Sequence, residues 1–235
     1  MIAALRTAFA RDAFVDVTAA IPREWRARVS AEVTSALDAH AVRRDVRIAV
    51  TGESPRRYRI VGRDTLTAIC PLAAEIYRSE TLLALVGEIA GEPVAPVPHV
   101  PEELIATRLE AAGDTHGWHW DDYGFALVWV LRAPSPADGA ALELVPDVAW
   151  NKSAPRIEAI LGEREPVREH VRAGTVYLLR ADTTLHRVAP LRRDVLRDAL
   201  CFSYAAVSAL QREVSHETLD AILSEPAPHR PQGLE

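Results

Sequence analysis

The chain has 235 residues, 49% hydrophobic and 26% charged, the balance of an ordinary globular protein able to bury a sizeable core. A net charge of −6 without a basic run argues against a nucleic-acid surface, and no apolar stretch reaches the roughly 18 residues of a membrane span. Of the 27 basic residues only Lys152 is a lysine, which removes a Walker phosphate loop. The chain also lacks a Gly-x-Ser-x-Gly elbow and a dinucleotide-binding glycine fingerprint.

Arg6, Arg11 and Asp12 fall where an export signal needs an apolar core. Cys70 and Cys201 have no metal-type spacing. A reduced, cytoplasmic setting is therefore expected. Residues 1 to 15 read as a short amphipathic helix or an ordered arm. REWRARVSAEVTSALDAHA then has apolar spacing for a helix of about 16 to 18 residues. Its charged face is a solvated surface or a contact in a homodimer. Residues 45 to 61 alternate about a Gly-Glu-Ser-Pro break, predicting two strands and a turn. Helical patterning returns from a cap at Asp64, is interrupted at Pro71, restarts at Ser79 and stops at Gly91.

The proline-rich segment 93 to 101 cannot be a central strand. After it, residues 102–111, 118–132, 139–145, 174–180, 185–189 and 197–207 read as strands between turn-formers. Residues 153 to 163 suit a short helix, SHETLDAILSE another, and PAPHRPQGLE a tail. The fold class expected is α+β, with helices packed on one side of an antiparallel barrel or sandwich. One domain is expected over 1–235: a helical scaffold (1–100), a β core (101–207), and a C-terminal helix and tail (208–235).

Chemistry concentrates in HGWHWDDYGFALVWVL, residues 116 to 131. On a strand, His119 and Asp121 point to the same face and Trp120 to the other. His186 follows a turn and opens a short apolar strand 65 residues later. Together the three form the two-histidine, one-carboxylate face that holds Fe(II) and leaves coordination positions open. A bidentate 2-oxo acid would fill two of those positions, and its far carboxylate needs a fixed arginine fork. Arg197 is the expected anchor, with Arg192 and Arg193 as alternatives and Ser203 on the same strand face.

These two stretches, HGWHWDDYGFALVWV and TLHRVAPLRRDVLRDALCFSYA, resemble the Fe(II)/2-oxoglutarate enzymes that halogenate or hydroxylate free amino acids, the lysine halogenases and their hydroxylase relatives. The resemblance is clearest over 102–205. It implies a jelly-roll (double-stranded β-helix) fold, with iron, 2-oxoglutarate and O2 at the site. Halogenases of that family carry glycine where this chain has Asp121, so the resemblance implies hydroxylation. It further implies that His116 and Asp122 line a substrate pocket. Glu102, with Glu103 as its neighbour, would take the substrate ammonium, and Arg56 or Arg57 its carboxylate. Two departures, Cys201 where lysine-acting members carry an amide and no aromatic after Tyr204, weaken lysine as substrate. The competing expectations are a cupin-type metal dioxygenase without 2-oxoglutarate and a non-catalytic β-sandwich binding module. His40, His99, His170, His216 and His229 lack a partner at ligand spacing and read as surface or turn residues.

Overall fold

The computed structural model describes residues 1–224, in which the strands join one antiparallel sheet of twelve. The chain opens with α1 (Ile2–Asp12), a short β1 (Phe14–Asp16) and the long α2 (Arg23–His40). A hairpin of β2 (Val42–Ile48) and β3 (Ser54–Val61) leads into α3 (Arg63–Ile69), α4 (Pro71–Arg78) and α5 (Glu80–Ala90). Pro71 takes the first position of α4, where a missing N–H costs nothing. The Ser79 hydroxyl caps α5 by accepting from the Leu82 N–H, and Gly91 closes that helix at φ 85°. Asp64 is not a cap: Gly62 holds that position, and the carboxylate lies in the first turn of α3, where it favours the helix dipole.

The rest of the chain is strand-rich. It runs through β4 (Val94–Pro96), β5 (Leu104–Leu109), β6 (Thr115–His119), β7 (Phe125–Arg132) and β8 (Leu142–Val145). After α6 (Ile157–Glu163) come β9 (Val167–Glu169), β10 (Val176–Arg180), β11 (Leu185–Val188), β12 (Arg197–Ala206) and finally α7 (Glu217–Leu223). The proline-rich β4 pairs only with the end of β12, as its missing donors require. The expected tail, residues 226 to 235, lies outside the described residues, as does His229.

One expectation is corrected. Residues 118–132 are not one strand: the turn-forming Asp-Asp-Tyr-Gly divides them into β6 and β7. Those two strands then go to different neighbours, β6 to β3 and β11, β7 to β10 and β12. The hairpin expected at 45 to 61 joins the same sheet, as do β1 and β4. Its order is β1-β10-β7-β12-β5-β3-β6-β11-β8-β9, with β2 on β3. β3 is the corner: Arg59 to Val61 pair with β5, while Arg56 and Arg57 pair with β6.

Alternation along the central strands separates two interiors. Phe125, Leu127 and Trp129 of β7 and Leu200, Phe202 and Tyr204 of β12 face the helices in the main core. The intervening Ala126, Val128, Val130 and Ala199 face Leu142 and Leu144 of β8 across the second layer. Helices therefore cover one face of the sheet, and the opposite face is free to enclose a site. Among the described residues no helix is long and apolar enough to cross a membrane.

Gly117 fixes how closely β3 and β6 approach. A Cβ there would meet Ser54 Oγ at 2.4 Å and the Pro55 carbonyl oxygen at 2.6 Å. The hydroxyl can rotate away, but the carbonyl belongs to the strand. Gly117→Ala is expected to cost about 1–3 kcal/mol through overpacking. That lowers the thermal midpoint by roughly 2–12 °C for a chain of this size. An unchanged midpoint would mean that the two strands have room to separate.

Candidate metal centre and substrate cavity

Antiparallel pairing sets His186 of β11 directly opposite His119 of β6. Each imidazole is oriented by a backbone carbonyl: His119 Nδ1 lies 2.7 Å from Gly117 O, and His186 Nδ1 lies 2.9 Å from Thr184 O. Donating Nδ1–H to those carbonyls leaves both Nε2 lone pairs facing inward. Asp121 lies just past the end of β6, where its N–H donates to Ala181 O at 3.1 Å and ties it to the segment between β10 and β11. Its Oδ1 is 3.5 Å from His119 Nε2 and 3.7 Å from His186 Nε2. One ion can touch all three.

The donor set suits Fe(II). Burial, and then the neighbouring His116, holds His119 well below the usual histidine range, and burial takes His186 down to about 4. Both imidazoles are therefore neutral ligands at physiological pH. Asp121 is pushed up to about 7, by burial first and Asp122 second, so it binds a proton that a cation would displace. No thiolate joins the set: the Cys201 thiol lines the cavity, but burial pushes its pKa up, which leaves it neither a ligand nor a nucleophile.

The three donors open onto a cavity of about 130 Å³ between the sheet layers. Arg197, at the start of β12, lines this cavity and is only 4% exposed. Around it lie Ala126, Val128, Leu142, Leu179 and Ala199. The neighbouring Asp198 points away and binds Arg108 and Arg132. Among the described residues Arg197 forms no ion pair; its near partner is the Tyr177 phenol. A buried guanidinium without a carboxylate is an uncompensated charge facing the cavity, and a dicarboxylate such as 2-oxoglutarate would complete it. Ser203 lines the same cavity. Arg192 and Arg193 do not; they sit on an exposed loop, where Arg192 donates to Ala137 O and Arg193 pairs with Asp138 at 2.5 Å.

A second cavity of about 80 Å³ adjoins the first and shares Glu102, His116, His119 and Asp121 with it. Period-two alternation would turn His116 away from His119. β6 instead carries an extra residue where it pairs with β11: His186 opposes His119 and Val188 opposes His116. The bulge brings both histidines inward, with ring centroids 4.0 Å apart. Glu102 sits in the turn before β5, 8% exposed, with Oε2 lacking a hydrogen-bond partner. Burial, then Asp122 and Asp121, raise its pKa well above the usual range. Glu103 is committed elsewhere, to Arg63 and Arg78.

Asp122 also faces the second cavity, but Lys152 Nζ holds its Oδ1 at 2.5 Å. Arg56 is fully buried behind Gly117, with Nη1 bonded to Ser54 Oγ at 3.2 Å, and Nε and Nη2 have no partner. It is not on the wall of either cavity. Arg57 forms an exposed pair with Asp45.

His99 and His216 are not isolated surface residues. Their rings stack at 3.7 Å, and His216 Nδ1 approaches Glu102 Oε2 at 3.5 Å and Asp122 Oδ2 at 3.8 Å. Thr218, Leu219 and Ile222 of α7 complete the wall. No spacing in the sequence announces these contributions: His99 lies in the proline-rich turn before β5, while His216 and α7 return over the site long after the strands that build it.

Since Asp121 must shed its proton while both histidines are already neutral, affinity for a divalent ion is expected to fall by up to about tenfold per pH unit below about 7. Anaerobic titration with Fe(II) at several pH values checks this; a flat profile across that range would put the carboxylate outside the metal site.

The family model for Halogenase D matches residues 1–224 of this chain. A comparison with curated protein sequences finds no match. Among solved structures, AviO1 from Streptomyces viridochromogenes Tue57 superposes with a TM-score of 0.64 at 18% identity, over 88% of this chain and 96% of that one. An oxidoreductase of the 2OG-Fe(II) oxygenase family from Burkholderia pseudomallei gives 0.59 at 16% identity, over 87% and 91%. A prolyl hydroxylase from Trichoplax adhaerens gives 0.63 at 12% identity, over 89% and 90%. The jelly-roll expectation is thereby met. The chain belongs to the Halogenase D family, and it is an enzyme with the fold and donor set of the Fe(II)/2-oxoglutarate-dependent oxygenases.

Proposed function

We propose that this enzyme hydroxylates an unactivated carbon of a free amino acid or a close derivative, releasing succinate and CO2. The observation that carries the hydroxylase reading is Asp121, whose carboxylate stands within 3.7 Å of both histidine nitrogens. The halogenases that the sequence resembles carry glycine there, which leaves a position for chloride; here that position holds a donor from the chain itself. Iron bound at this site, with O2 and 2-oxoglutarate, supplies the oxidising power. His119, Asp121 and His186 would hold the ion, and Arg197 with Ser203 would hold 2-oxoglutarate.

The chain's own residues orient the partners and keep water away. Arg197 receives a carboxylate in a dry, mostly aliphatic end of the cavity, where a charge-assisted fork is strong. His116, pressed against His119, forms the wall between ion and substrate. Glu102 offers one free carboxylate oxygen to a substrate ammonium. Arg56 pairs in register with His116 and keeps two unpartnered nitrogens, but it lies behind Gly117 and off both cavity walls, so it reaches the site through its charge and not by direct contact.

The test is incubation of the iron-loaded enzyme with 2-oxoglutarate, chloride and a panel of free amino acids. Succinate and a product heavier by one oxygen are expected. A chlorinated product would overturn the hydroxylase reading, and no turnover of 2-oxoglutarate with any substrate would overturn the function itself. Arg197→Ala is expected to weaken 2-oxoglutarate by about 2–5 kcal/mol, thirtyfold or more in the concentration required, while sparing iron. A variant matching the wild type would remove Arg197 as the anchor.

A further inference from the structure

The structure assigns Lys152 as the residue that decides which amino acids enter: from the adjoining pocket its ammonium neutralises Asp122, the second free-standing acid of the cavity wall, so the substrate brings one cationic group and an uncharged side chain. This inference rests on the amino-acid reading above.

Two carboxylates other than Asp121 face the second cavity, Glu102 and Asp122. They differ in what they already hold. Asp122 Oδ1 lies 2.5 Å from Lys152 Nζ. The same ammonium donates to the Ser215 carbonyl and hydroxyl oxygens, stands 3.4 Å from Glu217 Oε2, and lies 4.4 Å from the centre of the Trp150 ring. A carboxylate, a carbonyl and an aromatic face are together what a protein uses to bind a ligand's ammonium. Here the chain supplies the ligand itself.

Glu102 is left as the free acceptor. It is more than nine-tenths buried, and its Oε2 has no hydrogen-bond partner, with His216 Nδ1 standing off at 3.5 Å. Beyond it the cavity is walled by Ile60, Ile105, Leu219 and Ile222, with the Tyr58 ring at one side. Among the described residues that line this cavity, no second acid outside the metal centre is left without a cation to receive a distal ammonium. An aliphatic side chain loses nothing against these walls, whereas a distal ammonium would be buried unpaired or would have to displace Lys152. Selectivity arises by occupation: the rejected group finds its site taken.

L-norleucine and L-lysine form the matched probe pair, with side chains of similar length that differ in a terminal ammonium. Calorimetry on the protein loaded with Zn(II) and 2-oxoglutarate measures binding without turnover. The wild type is expected to bind L-norleucine at least tenfold more tightly than L-lysine, with L-ornithine as poor as L-lysine. Lys152→Met empties the ammonium site and is expected to raise the L-lysine to L-norleucine affinity ratio at least tenfold. That gain should vanish in Asp122→Asn/Lys152→Met, which a merely structural role for Lys152 would not predict.

A wild type that prefers L-lysine or L-ornithine overturns the assignment without need of any variant, so a Lys152→Met protein that fails to fold does not rescue it. So does a folded Lys152→Met whose affinity ratio stays where it was. If no amino acid binds while 2-oxoglutarate does, the amino-acid reading fails and takes this inference with it; a preference for L-lysine would sink this inference alone.

Discussion

The pairing of β6 with β11 is the constraint on which the site depends. It sets His119 opposite His186, and the extra residue in β6 turns His116 to the same side. Three imidazoles from two strands thus reach one cavity. The arrangement needs Gly117, because β6 must pass within contact of β3 for the bulge to form where it does. It also needs the Asp-Asp-Tyr-Gly turn. If β6 ran straight into β7, Asp121 would be drawn along the sheet instead of tied to Ala181, and the carboxylate would leave the two histidines. The metal centre is therefore a property of a bulge and a break in what is otherwise regular sheet.

Charge is treated in two ways inside this fold. Asp198 binds Arg108 and Arg132, Glu103 binds Arg63 and Arg78, and Asp114 binds Arg43. These pairs are closed; removing one partner would strand a buried charge, so they hold strands and helices in register. Arg197 and Glu102 are buried to a similar degree and have no ion partner of hydrogen-bonding geometry. Such groups cost stability until something external completes them, and both face the cavities beside the candidate metal centre. Arg197 and Asp198 are neighbours on β12 yet belong to opposite kinds, because successive residues of a strand face different interiors.

Much of this was legible in the sequence. The helices at 23–40 and 80–90 carried apolar spacing and, for the second, its caps. The triad and Arg197 were readable because strand period and separation are simple rules. What was not legible depends on interruptions of those rules. The break after His119 was hidden by apolar residues that continue a strand pattern on its far side, and the bulge that turns His116 inward breaks the period of two. Nothing local marked Lys152, His99 or His216, since each acts by meeting a residue far away in the chain. The resemblance preferred Glu102 to Glu103 but left Arg56 level with Arg57; which member of each pair is already bound or exposed could be seen only in the fold.

Lys152 shows why residue type matters at such a place. The chain meets nearly all its needs for positive charge with arginine, and its one lysine stands against Asp122. Arginine presents a planar fork of five donors that wants two parallel acceptors. The space between Asp122, Ser215 and Trp150 offers convergent single acceptors under a ring face, which suits a compact ammonium. The Lys152 ammonium neutralises Asp122 from the adjoining pocket, and Glu102 is left as the cavity's acid without a close cation.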